Sequence, residues 1–270
     1  MKPISPSINA PVELSNLFSM RNKVAFIPGG YGGIGEAVSW ALALAGAHVT
    51  VGGRNAGKAQ SLVDDLSEHG LSAESIVLDM KSVASIRETV DRVASRHGRI
   101  DVLVNCVGIQ REEPLLEVTE DAYDEVYSVN LKAAMFLAQA VARHQIAAGL
   151  GGRQVHLLSV RSRLGLRSRG YSAYCSTKGG MVMLVRQHAM ELAQQGITVN
   201  GVAPTFVHTE LIRHVMDNPQ FRNKLLERIP LGRIADPKDV VGPVMFFCSE
   251  ASGFVTGQIM YVDGGITASQ

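Results

Sequence analysis

The chain has 270 residues, 46% of them hydrophobic, with 26 basic against 25 acidic side chains and a formal net charge of +1. That length and composition suit one compact domain with a sizeable core and argue against disorder. The balanced charge leaves no electrostatic footprint for nucleic acid or an anionic membrane, and no run of about 18 apolar residues offers a membrane span.

Residues 1–22 carry Pro3, Pro6 and Pro11 among polar residues and lack the continuous apolar stretch of a secretory signal. They read as an N-terminal arm, flexible or packed on a partner, ahead of one domain over 23–270. From there short β-branched runs alternate with segments of helical period. The predicted strands are 24–27, 48–51, 73–78, 102–105, 154–159, 198–203 and 259–262. The predicted helices are 33–45, 55–69, 83–97, a long stretch over 119–148, 172–195, an insertion over 209–228, and 237–249. Such alternation predicts an α/β fold, a doubly wound seven-stranded parallel sheet. Val102-Leu103-Val104 is apolar on both faces, as a strand covered by helices on both sides requires.

Cys106, Cys175 and Cys248 are odd in number and lack C-x-x-C spacing, which fits reduced thiols in a cytoplasmic protein better than disulfides or a zinc site. His156, His188, His208 and His214 have no paired ligand spacing, so no metal is expected.

Between the first strand and first helix lies Pro28-Gly29-Gly30-Tyr31-Gly32-Gly33-Ile34-Gly35. Glycines at 29, 33 and 35 allow a tight turn, close approach of the backbone to a pyrophosphate, and close helix packing. The second strand ends in Gly52-Gly53-Arg54. An acidic residue there would hold the ribose hydroxyls of NAD, whereas Arg54 suits a 2′-phosphate, so NADP is expected and NAD is the alternative. A solvated Arg54 is the plainer reading. Asp79, closing the third strand, is placed to meet the adenine amino group or to cap the helix at Ser82. Downstream, Tyr174 and Lys178 stand four apart on one helical face, where an ammonium can draw the phenol's pKa down and make it a proton donor to a carbonyl.

Gly29-x-x-x-Gly33-Ile34-Gly35, Asn105-Cys106-Val107-Gly108, Asn130, Ser159, Tyr174-x-x-x-Lys178, the run from Asn200 to Thr209, and Asp263-Gly264-Gly265 follow in order. Together they resemble the short-chain dehydrogenase/reductase family. The resemblance implies a Rossmann domain, a nicotinamide cofactor, oxidoreductase activity, and a homotetramer or homodimer joined through long helices. It implies Tyr174 as the acid/base, Lys178 as the residue that lowers its pKa and holds the nicotinamide ribose, Ser159 as a hydrogen-bond partner of the substrate oxygen, and Asn130 as the holder of a relay water. Around the cofactor it implies Gly29, Tyr31, Gly33, Ile34, Gly35, Arg54, Asp79, Met80, Asn105, Gly108, Pro204, Val207 and Thr209. Val107 and Thr205 depart from the family's usual alanine and glycine, and Pro28 from its threonine, without removing a reacting group.

The gap from Ser159 to Tyr174 is two residues longer than usual, with Arg161 at the expected position. Ser159 is preferred as the strand-end residue and Ser162 is the alternative. The enlarged loop carries Arg161, Arg163, Arg167 and Arg169, with Arg111 beyond the fourth strand. These suit a carboxylate or phosphate substrate, or a solvated loop. Arg111, Arg161, Ser162 and His208 are therefore candidate substrate contacts, under a helical lid at 207–228. Gly108-Ile109-Gln110-Arg111 and the run from Ser159 to Gly165 look like segments of gluconate 5-dehydrogenases, implying interconversion of a secondary alcohol and a ketone on a sugar acid. A 3-oxoacyl thioester reductase is the other enzyme reading, and a dinucleotide-sensing module the non-enzyme one.

Overall fold

The computed structural model describes residues 14–167, 169–210 and 219–268, in which seven strands alternate with helices. A short α1 (Leu14–Leu17) precedes β1 (Val24–Pro28), α2 (Ile34–Leu44), β2 (His48–Gly53), α3 (Ala56–Glu68), β3 (Ala73–Val77), α4 (Val83–His97) and β4 (Val102–Asn105). Then come α5 (Glu120–Tyr127), α6 (Ala133–Ala148), β5 (Gly152–Leu157), α7 (Ser172–Leu192), β6 (Ile197–Pro204), α8 (Pro219–Leu226), α9 (Pro237–Cys248) and β7 (Ile259–Val262). All seven strands pair in parallel in the order β3-β2-β1-β4-β5-β6-β7. The predicted doubly wound sheet is the observed one. Among the described residues no helix is long and apolar enough to cross a membrane.

Strand alternation decides which core each side chain enters. Ala25 and Ile27 pack with Val38 and Leu42 of α2 and Val240 and Val244 of α9, whereas Phe26 between them packs on the other face with Ile86 and Val90 of α4 and Leu137 and Val141 of α6. Polar residues set the helix starts: the Asn55 side chain accepts from Lys58 N at 2.9 Å and the Ser82 side chain from Ser85 N at 3.2 Å. Gly98, at φ 70°, ends α4 in the left-handed conformation that glycine adopts without strain.

Three expectations need correction. The long helix over 119–148 is broken into α5 and α6 by a π turn at Ser128–Lys132, because Asn130 is drawn inward by three hydrogen bonds to other parts of the chain. The fifth strand lies two residues earlier than expected, so Ser159 stands beyond its end, after Leu158 N has donated to Val202 O at 2.8 Å. The arm ends sooner as well: Met20 is buried in the main core and its N–H donates to Ala45 O at 2.9 Å. The rest of the arm, residues 1–13, and residues 211–218 of the expected lid lie outside the described residues.

Candidate active site

The C-terminal ends of β1, β4, β5 and β6 open onto a cleft of about 770 Å³, the position where parallel sheets of this kind receive ligands. At one end of it lies the glycine turn. Gly33 caps α2 at φ 50°, with no side chain satisfying the helix's first N–H groups. A Cβ on Gly35 would collide with the Gly29 carbonyl oxygen, and one on Gly33 would lie 2.7 Å from Thr209 Cγ2. The result is a close-packed backbone cradle at the positive end of a helix dipole, which fits a diphosphate.

At the other end Ser159, Tyr174 and Lys178 line the cleft together. The Ser159 side chain accepts from Arg161 N at 3.2 Å, and its hydroxyl beside Tyr174 opposes the rise in the phenol's pKa. Lys178 is buried, and its Nζ donates to Leu157 O at 2.8 Å. Asn130, also buried, accepts from Ile109 N at 2.8 Å and donates to Ile109 O at 2.9 Å and to Thr177 Oγ1 at 3.2 Å. Gly108 brings these groups to one point: a Cβ there would lie 3.4 Å from Lys178 Nζ and 3.8 Å from Asn130 Oδ1.

Burial dominates the electrostatics of Tyr174 and Lys178. Burial pushes the Tyr174 phenol up to about 12, against the lowering effect of the Ser159 hydrogen bond. Burial also brings Lys178 down to about 8, with Cys106 opposing. Desolvation disfavours the charged form of each group and is the largest cause of both shifts.

Of the residues expected around a cofactor, Gly33, Ile34, Gly35, Gly108, Pro204, Val207 and Thr209 line the cleft. Gly29 lies beneath it, with a Cβ position only 3.1 Å from the Cys106 carbonyl carbon. Asn105 does not line it: its Oδ1 accepts from Val107 N at 3.2 Å and its amide meets His156 Nδ1 at 3.4 Å, so it shapes the turn beneath. Tyr31, Arg54, Asp79 and Met80 also lie off the cleft lining, near the ends of β2 and β3. Tyr31 covers Gly53 and its hydroxyl accepts from Asn55 N at 3.3 Å. Arg54 is exposed, Asp79 accepts from Lys81 N at 3.0 Å rather than capping α4, and Met80 is buried in the core.

The expected substrate contacts fare differently. Arg111 is paired with Glu125 at 2.6 Å outside the cleft, and Ser162 Oγ faces Tyr261 Oη at 3.3 Å. His208 is exposed outside the lining, held by its N–H to Ala235 O at 2.8 Å. Arg161 does line the cleft, but its guanidinium is turned to the carbonyls of Leu164 and Gly165, at 3.3 and 2.7 Å. It braces the enlarged loop because a buried guanidinium needs acceptors, and the loop's own carbonyls supply them. The loop arginine that does present an ion pair to the cleft is Arg169, paired with Glu112 and set 5.6 Å over the Tyr171 ring. Glu112 and the Leu157 carbonyl carried no sequence signal, since neither belongs to a spaced pattern.

A family model described as "Enoyl-(Acyl carrier protein) reductase" matches residues 30–267. The chain is 36% identical over 254 residues to the gluconate 5-dehydrogenase of Gluconobacter oxydans (strain 621H), covering 94% of this chain and 98% of that protein. It is 33% identical over 253 residues to the 5-keto-D-gluconate 5-reductase of Escherichia coli (strain K12), with the same two coverages, 94% and 98%. Among solved structures, a gluconate 5-dehydrogenase from Burkholderia cenocepacia J2315 in complex with NADP and tartrate superposes with a TM-score of 0.91 at 36% identity, over 96% of this chain and 100% of that one. A sheet order, a glycine cradle and a tyrosine–lysine cleft of this kind, joined to likeness along nearly the whole length of such relatives, have one reading: the chain belongs to the short-chain dehydrogenase/reductase family.

Proposed function

We infer that this protein is an NADP-dependent oxidoreductase that interconverts a secondary alcohol and a ketone on a small sugar acid of the gluconate/5-ketogluconate kind. The observation that carries the reading is the convergence of Ser159, Tyr174 and Lys178 on one cleft whose other end is the glycine cradle. The activities of the Gluconobacter and Escherichia relatives, and the NADP and tartrate held by the Burkholderia structure, support the cofactor and the substrate class.

The cofactor fits the residues present. Gly29, Gly33 and Gly35 with the start of α2 would hold its diphosphate, Arg54 the 2′-phosphate, and Asp79 and Met80 the adenine side, with Pro204, Val207 and Thr209 along the nicotinamide half. When bound, NADPH supplies a hydride to the substrate carbon, and NADP+ takes one in the reverse direction. The remaining work belongs to the chain. Tyr174 gives its phenolic proton to the forming alkoxide oxygen, Ser159 hydrogen-bonds that same oxygen, and the Lys178 ammonium favours the phenolate left behind. Asn130 fixes the Ile109 backbone beside Lys178 and holds the relay water through which the proton is replaced.

A homotetramer or homodimer fits the apolar side chains exposed on the long helices, Met135 and Ile146 on α6 and Met183 and Met190 on α7.

The test follows reduced-cofactor absorbance with NADPH and either 5-ketogluconate or an acetoacetyl thioester. Turnover of 5-ketogluconate is expected. Turnover of the thioester alone sinks the sugar-acid reading, and tight NADPH binding with no turnover across a panel of ketones favours a sensing module.

A further inference from the structure

At the end of the sheet opposite the cleft, His48 opens β2, Glu74 lies in β3 and His97 closes α4. One potential ligand atom from each lies within 4.8 Å of the other two, and the two imidazole rings stand 4.3 Å apart. All three residues are half-buried. Part of this cluster has an ordinary explanation: His97 Nε2 lies 2.9 Å from Glu74 Oε1, the Thr50 hydroxyl donates to the same oxygen at 3.1 Å, and Arg96 pairs with the other.

His48 is not explained by that network. Its Nδ1 meets Ser72 Oγ at 2.7 Å, while its Nε2 is shielded from water and has no hydrogen-bond partner. A ring nitrogen shielded from water and left without a partner is open to a ligand, and among the described unpartnered histidines His48 is the one that lies beside a second imidazole and a carboxylate. In the tautomer that donates from Nδ1 to Ser72, Nε2 carries the lone pair, which is the state a metal requires.

We propose that His48, Glu74 and His97 form a binding site for a divalent transition-metal cation of the zinc class, with water completing the coordination. Two imidazoles and one carboxylate are a recurrent zinc set and a poor one for magnesium or calcium, which prefer oxygen donors throughout. Ser72 behind His48 and Thr50 behind Glu74 supply the outer hydrogen bonds that orient such ligands. Because the three come from β2, β3 and α4, a bound ion would pin the outer edge of the sheet to the helix that covers it. Arg96 competes with the ion for Glu74, and being exposed it can swing away.

Metal-free, untagged full-length protein is titrated with Zn2+ by calorimetry and with Co2+ by visible absorption. One equivalent per chain is expected, lost in His48→Asn and in His97→Asn, and bound several-fold more tightly by Arg96→Gln. Zn2+ should raise the melting temperature of the unsubstituted protein and leave that of His48→Asn unmoved. A measurement independent of variant folding is 15N NMR of the histidine rings on adding Zn2+, in which two of the eight imidazoles, His48 and His97, should shift. No uptake, undiminished uptake in both histidine variants, or shifts confined to other histidines overturns the site.

Discussion

The Lys178 ammonium lies 5.6 Å over the centre of the Tyr174 ring and gives its hydrogen bond to the Leu157 carbonyl, 2.8 Å away. It therefore meets the face of the ring, and burial governs both groups, placing the phenol near 12 and the amine near 8. Tyr174 is thus a protonated acid throughout the neutral range, ready for ketone reduction, while alcohol oxidation has to remove its proton first. The charge on Lys178 is present below about 8 and disappears above it. The kcat/KM for reduction should be level near neutrality and fall as pH rises through that value. Lys178→Met should lower the rate roughly 100-fold or more and abolish this fall. A wild-type profile still level at about pH 10, where an unperturbed lysine begins to titrate, would remove the Lys178 charge from the reaction.

Arg54 follows β2 directly, is exposed, and makes no ion pair among the described residues. If it holds a 2′-phosphate, Arg54→Ala should weaken NADPH roughly 10- to 100-fold, the equivalent of one charged hydrogen-bonding pair, and leave NADH affinity unchanged. Fluorescence titration with both cofactors decides this. Equal losses for NADH and NADPH would assign Arg54 a structural part instead.

Beneath the cleft, His156 is fully buried in β5 and burial holds its pKa down at about 3, with His188 and Lys178 adding to the effect. In the unfolded chain the ring takes up a proton below its ordinary 6.5, while the folded chain resists until about 3. Its contribution is thus complete above 6.5 and is lost as pH falls through that window, by at most roughly 1.4 kcal/mol per pH unit. Urea midpoints measured between about pH 4 and 7 should drop steeply for the wild type and less steeply for His156→Gln. Parallel curves would assign acid sensitivity to other groups.

The alternation of strands and helices was legible because each period reports burial directly, and α4, β4 and β7 fall where the pattern puts them, α4 between the Ser82 cap and Gly98. The glycine turn and the tyrosine–lysine spacing were legible for the same local reason. What local pattern does not carry is partnership across the fold. The π turn at Asn130 depends on Ile109 and Thr177, and the pKa values of Tyr174 and Lys178 depend on burial. The arginines show the same limit: the sequence displays their charge, while Glu125 for Arg111 and the loop carbonyls for Arg161 are found only in the fold. His48, Glu74 and His97 are likewise scattered along the chain and meet only at the edge of the sheet.

The central claim is that Tyr174 passes the proton while the rest of the cleft binds the cofactor. The most direct measurement compares wild type and Tyr174→Phe for NADPH oxidation with 5-ketogluconate and, separately, for NADPH affinity. Loss of one proton-transferring group predicts a rate lower by roughly 100- to 10,000-fold with affinity nearly unchanged. A Tyr174→Phe enzyme that turns over at the wild-type rate would contradict the account.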